Sequence, residues 1–173
     1  MNNADKSTLI ELLNKINPKQ PYGTELFNAL ARLTVSVAIE AVCLRQNLEN
    51  QDIEIYLAQR SSDDSAYPNE WHCPGSVMRP GESFEDVLQR LAGREFKANL
   101  ISAKFVANIN PSPLSPEERG HFLSIVYLCV VEEAQNQRGK WFSIDNLPDR
   151  IVEGHLKRII PCALGAFVAD YNV

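Results

Sequence analysis

The chain predicts an α/β fold of the α/β/α sandwich type, a mixed sheet held between helices with a short helical arm in front, and three observations carry that expectation. Runs rich in β-branched and apolar residues recur at 35–44, 53–59, 104–109, 121–132 and 140–143. Two helical patterns interrupt and close them, one beginning at Ser83 and one over 155–170. Composition is that of a packed protein: 173 residues, 45% hydrophobic and 23% charged, enough for one domain with a sizeable core and too apolar for disorder.

Taken in order, Leu9, Ile10, Leu12, Leu13 and Ile16 recur at helical spacing after Ser7, and Pro18 and Pro21 break that helix. Thr24 reads as the N-cap of a second helix carrying Leu26, Phe27, Leu30 and Leu33. Residues 1–33 form a helical extension ahead of a domain over 34–173. Two short helices with apolar faces are marginal alone, so the arm is expected to dock on the sheet or on a second subunit, with a homodimer preferred. The segment QNLENQD turns the chain between the first two strands, and SSDDSAYPNE forms a longer loop after Arg60. Pro80-Gly81 then reverses the chain into the central helix, where Ser83 with Asp86 three residues on forms a capping box. His155 starts the closing helix, with Leu156, Ile159, Ile160, Leu164 and Phe167 on its apolar side.

Net charge is −5, which argues against a broad phosphate-backbone footprint, so nucleic acid is not expected as a partner. The opening MNNADKSTLIELL lacks a signal pattern, and the longest apolar stretch, 122–131, contains Ser124 and is too short to span a bilayer. No membrane partner and a cytoplasmic location are the expectation. Cys43, Cys129 and Cys162 sit in apolar runs and read as buried thiols. Cys73 beside His72 lacks the second ligand pair that a zinc site needs.

The segment WHCPGSVMRPGESFEDVLQRLAGREFKANL resembles the Nudix box, G-x(5)-E-x(7)-R-E-U-x-E-E-x-G-U with U apolar. Glu82 and Arg90 keep the spacing of the pattern. The opening glycine becomes Ser76, and the late glycine becomes Lys97. The three glutamates that gather divalent metal in the family fall on Leu91, Arg94 and Glu95, positions that share one face of an α-helix. That face carries zero formal charge instead of −3, which does not sustain a multi-metal cluster but allows one Mg²⁺ (or Mn²⁺) with few protein ligands.

The box helix is most similar to that of GDP-mannose mannosyl hydrolases, a Nudix branch that also lacks the first two metal glutamates. The resemblance implies hydrolysis of a nucleotide sugar, or another nucleoside diphosphate derivative, around a single ion held by the Gly75 carbonyl, Glu95 and Gln135. It also implies substrate contacts from Arg60, Trp71, Glu82, Arg90 and Arg94. The branch's general-base histidine corresponds to Asn136, which takes no proton at neutral pH, and a phosphate-binding arginine corresponds to Val77. His121 and His155 are the remaining candidates for a base, and a structural role is open for each. Trp71 reads as core packing ahead of a ligand contact, Arg94 equally as a solvated helix residue, and Leu91 as packing at the core edge. Two alternatives stay open: a catalytically inactive domain that binds a nucleotide or metabolite, and a pyrophosphatase whose metal carboxylates have moved to Glu117 or Glu118.

Overall fold

The computed structural model describes residues 1–111 and 120–171, so Glu117 and Glu118 lie outside the described residues. Two helices, α1 (Asn3–Leu13) and α2 (Thr24–Ala31), precede β1 (Val35–Val42), β2 (Leu44–Gln46) and β3 (Ile53–Gln59). The box contributes β4 (Trp71–His72), β5 (Gly75–Val77) and α3 (Phe84–Leu91), which runs on into a π-helical turn, Ala92–Phe96. Then come β6 (Leu100–Ile109), β7 (His121–Val131), β8 (Gly139–Ser143), a second π-turn (His155–Ile159) and α4 (Ile160–Tyr171).

Among the described residues the strands form two four-stranded sheets, one of them the mixed sheet that the sequence predicts. One is mixed, in the order β5-β1-β7-β6, with β1 parallel to β7; in the other, β3 pairs antiparallel with β2, β4 and β8. The run 35–44 reads as one strand, yet the chain leaves β1 at Cys43, whose carbonyl accepts from Tyr56 N–H on β3 (3.0 Å). A strand whose two ends find different hydrogen-bonding neighbours must switch sheets. The sequence pattern assigned no strand to β4 or β5, because strands of two and three residues carry no periodicity.

Period-two alternation then sorts side chains onto two faces. Ile39, Ala41 and Cys43 of the first strand run, Tyr56, Ile125 and Cys129 pack with Val87, Leu88, Leu91 and Phe96 around α3. Val42, Leu44, Ile55, Leu57 and Val126 pack with Ile159, Ile160 and Ala163 of the closing helix. Helical layers thus cover both faces, the sandwich the sequence predicts. Burial of each such aliphatic side chain is worth about 1.5–3 kcal/mol.

The capping box at Ser83 is present in both directions, with Ser83 accepting from Asp86 N–H and Asp86 accepting from Ser83 N–H. At the arm the two helices differ. Helix α1 starts earlier than Ser7, capped by Asn2 with Asp5, and buries no residue; Leu9, Ile10, Leu12 and Leu13 remain exposed, so it does not dock on the sheet. Helix α2 does dock: Ala31 is buried and the Phe27 ring meets Phe122 at 6.4 Å. Gly120 lets it do so, since a Cβ there would stand 2.6 Å from the Ala31 carbonyl oxygen and φ is +136°.

Candidate functional site

A cleft of about 460 Å³ opens where α2, the loop after β3, the box and the second π-turn converge. Arg60, the first residue after β3, lies on its wall, with Nη1 on Asp64 Oδ2 at 3.1 Å and its guanidinium 5.5 Å from the Tyr67 ring centroid. Its Nε is buried without a hydrogen-bond partner among the described residues. Arg138 and Arg158 line the same space. Three guanidinium groups around a ligand-sized cavity suit an anion with several oxygens.

Acidic oxygens face them. Glu40 is buried in the middle of β1 and accepts from Ser124 Oγ at 3.2 Å. Gly75, its register partner on β5, makes room: a Cβ there would stand 2.1 Å from Glu40 Oε2. Bonds from Ala41 N–H to the Pro74 carbonyl and from Met78 N–H to the Val37 carbonyl set the parity of that ladder. Glu40 and Gly75 are therefore a non-hydrogen-bonded pair, and the Gly75 carbonyl is not used by β1. Glu95 lines the cleft from the first π-turn. Its backbone carbonyl accepts from Asn136 Nδ2 at 2.6 Å, and Asn136 Oδ1 accepts from Arg138 N–H at 3.0 Å, so Asn136 fixes two cleft residues.

Two histidines close the floor, their rings edge to face at 6.0 Å. The Cys73 N–H donates to His155 Nδ1 at 3.1 Å, so the neutral ring carries its proton on Nε2 and is a donor there. Burial first, then His72 and the cations of Arg60 and Arg158, hold the His155 pKa well below the usual value. His72 Nδ1 lies 2.8 Å from the Cys73 carbonyl, which only accepts; that nitrogen therefore bears the proton. The Cys73 peptide thus sets opposite tautomers in the two rings.

The residues expected from sequence divide. Arg60, Gly75, Glu95 and His155 line the cleft. Glu82 and Arg90 are not among its lining residues; they form a two-pronged pair at 2.8 and 2.9 Å, and Arg90 also donates to Ser76 Oγ (2.6 Å) and the Val77 carbonyl (3.2 Å). With Glu82 accepting from Arg79 N–H, they lock the box loop. Trp71 packs edge-on against Phe142 at 4.8 Å and joins the apolar layer on the α4 side. The β7 alternation puts Phe122 and Ser124 in the cleft and leaves His121 exposed, with Nε2 on Asn110 Oδ1 at 2.7 Å. Gln135 is exposed and stands outside the lining.

The expectation that 91, 94 and 95 share a face fails. Leu91 is buried in the α3 core, Arg94 is exposed and Glu95 is half-buried, because the π-turn after Leu91 changes the angular step. No group of three His, Cys, Asp or Glu residues is arranged to hold a metal among the described residues. Glu40, Ser124, His72, Arg138 and Arg158 were missed by the sequence reading. A lone carboxylate inside VSVAIEAV was the one signal available. The four cysteines are free, and burial pushes the Cys129 thiol up to about 12, so it is not a nucleophile.

The NUDIX domain family matches residues 37–161. The chain belongs to that family. No curated protein matches it. Among solved structures it is similar to the NUDIX domain of Shewanella oneidensis NrtR complexed with ADP ribose, at 18% identity and TM-score 0.60, covering 96% of this chain and 99% of that one. It is also similar to a MutT NUDIX hydrolase from Burkholderia pseudomallei, at 18% identity and TM-score 0.55, covering 70% and 92%. NrtR complexed with a 27mer DNA matches at 15% identity and TM-score 0.62, covering 77% of this chain; this chain spans 62% of that one. At such identities the likeness carries the fold.

That last structure corrects one expectation. Net charge does not exclude nucleic acid, since this fold occurs in a DNA-bound protein. A chain-wide sum of charges says nothing about a local basic surface. No helix among the described residues is long and apolar enough to cross a membrane.

Proposed function

We propose that the cleft binds a nucleoside diphosphate derivative and hydrolyses it slowly with the help of one divalent ion. The observation that carries this reading is the convergence of Arg60, Arg138 and Arg158 on a cavity that also holds Glu40, Glu95 and Gly75. The guanidinium groups take the diphosphate, and the His155 Nε2–H adds a neutral donor. Glu95, Glu40 and the Gly75 carbonyl are hard oxygen donors of the kind Mg²⁺ accepts in small number, with Glu40 taking the part expected of Gln135. The donor set fits one ion and not a cluster. When bound, the ion neutralises charge developing on the pyrophosphate. The ADP-ribose complex of the NrtR domain supports the ligand class, and a nucleotide sugar belongs to the same class.

Binding without turnover is the second reading. It is favoured by Leu91, which occupies a metal-carboxylate position of the box yet lies in the core, and by His155 Nδ1, which is held by a backbone N–H and is not open to take a proton.

Titration calorimetry with ADP-ribose, followed by product analysis with Mg²⁺ or Mn²⁺, tests both. Arg60→Ala is expected to weaken binding about 10- to 100-fold, the worth of charge-assisted hydrogen bonds at ~1.5–3 kcal/mol. Slow metal-dependent turnover that disappears in Glu95→Gln supports hydrolysis. Binding with no product supports the second reading. Absence of binding to any nucleoside diphosphate derivative overturns both.

A further inference from the structure

A second cavity, of about 520 Å³, adjoins the first and shares Phe27, Ser61, Asp64, Ser76 and Val77 with it. Its outer wall is the N-terminal arm, residues 20–24 together with Phe27 and Asn28 of α2. The two compartments differ in charge. The first sets three arginines against Glu40, Glu95 and the shared Asp64, whereas the second has one arginine, Arg79, against Asp63 and Asp64. A phosphate is therefore better placed in the first, and a neutral group in the second. The remaining wall is built for hydrogen bonding: Gln20, Thr24, Asn28, Ser61 and Ser65 offer hydroxyls and amides beside the Tyr22 ring.

One atom in this wall is in debt. Asn28 Oδ1 is buried and has no hydrogen-bond partner among the described residues. A buried acceptor left unsatisfied is costly, and because Asn28 lines the cavity, a turn of its amide toward that space lets Oδ1 accept from a ligand and removes the cost. An adenine offers one exocyclic amine, whereas a sugar offers several hydroxyls that both donate and accept. A wall of five hydroxyl- and amide-bearing side chains matches the second.

We propose that the N-terminal arm is part of the binding site: it forms a subsite for the distal sugar of the ligand, with Asn28 Oδ1 accepting from a sugar hydroxyl. This rests on the reading of the neighbouring cleft as a nucleoside diphosphate site and adds where the rest of the molecule lies. The arm then selects sugar-linked diphosphates over the bare nucleoside diphosphate.

The test is calorimetry on the full chain with two probes, ADP-ribose and ADP, for wild type and Asn28→Leu. Leucine preserves bulk and removes the unsatisfied acceptor, so the variant should melt no lower than wild type. The expected result is an ADP-ribose affinity reduced about tenfold, with ADP unchanged, as befits loss of one buried hydrogen bond. Equal weakening of both probes overturns the sugar assignment, because the second compartment then serves the shared nucleoside or merely supports the cleft. Unchanged binding of both overturns it as well, while leaving the proposed function in place. Failure of wild type to bind either probe removes the diphosphate site itself, and the subsite with it.

Discussion

At the scale of single residues, Leu91 and His155 give the sharpest tests. Restoring the family's carboxylate at 91 looks like a repair, but that side chain is 1% exposed and packs among Val87, Leu88 and Phe96. Leu91→Glu should cost at least about 3 kcal/mol, since an unpaired carboxylate is desolvated in an apolar core. Urea unfolding would measure it, and Mg²⁺-dependent turnover should not rise; Arg94→Glu, at an exposed position, should change stability by less than about 0.5 kcal/mol. His155 makes stability pH-dependent. It stays neutral in the fold, while the unfolded ring protonates near its ordinary value of 6.5. Below that pH the unfolded state binds the extra proton, so stability should fall by up to ~1.4 kcal/mol per pH unit from this group as pH drops. His155→Asn, which keeps an acceptor for the Cys73 N–H, should flatten the stability curve between pH 7 and 5. An unchanged slope would show that His155 is not the group.

At the scale of elements, the π-turn after α3 and the short strand β5 position the site. The π-turn ends at Lys97 in the left-handed region (φ 57°), with its N–H on the Ala92 carbonyl. Glycine holds that conformation without the ~1–2 kcal/mol strain of an L side chain. Lys97→Gly should therefore stabilise the protein by about 1 kcal/mol after allowing for the freer unfolded chain, visible as a higher Tm. Strand β5 depends on Gly75 for the opposite reason: its backbone conformation is ordinary, but Glu40 fills the space a Cβ needs. Gly75→Ala should cost about 1–3 kcal/mol by overpacking and weaken cation binding. The same change made on a Glu40→Ala background should cost much less, and a double-mutant cycle near zero would mean the two do not interact.

At the scale of the whole molecule, the arm divides into an exposed helix and a docked one. Deletion of residues 1–17 should leave Tm almost unchanged, since α1 buries nothing. Deletion of residues 1–28 should lower it by several degrees, because Phe27 leaves Phe122 and most of α2 is lost. Calorimetric scans of the two truncations separate these outcomes.

The amino-acid sequence by itself determined the family, the strand runs of the two faces and the capping box at Ser83, and it singled out Arg60, Gly75 and Glu95, which line the cleft. These follow from local chemistry: periodicity, capping and fixed spacing are written within a few residues of one another. It could not reveal that the strand run 35–44 breaks at Cys43, because its two ends bond to partners far along the chain. Nor could it reveal the π-turn that follows Leu91, since a π-turn leaves no distinct mark in residue spacing. Glu40, Arg138, Arg158 and the paired tautomers of His72 and His155 come from four separate segments. Only the packing of two sheets between α3 and α4 brings those segments to one cavity, where burial holds the His155 pKa down and the Cys73 peptide sets the proton position of each histidine.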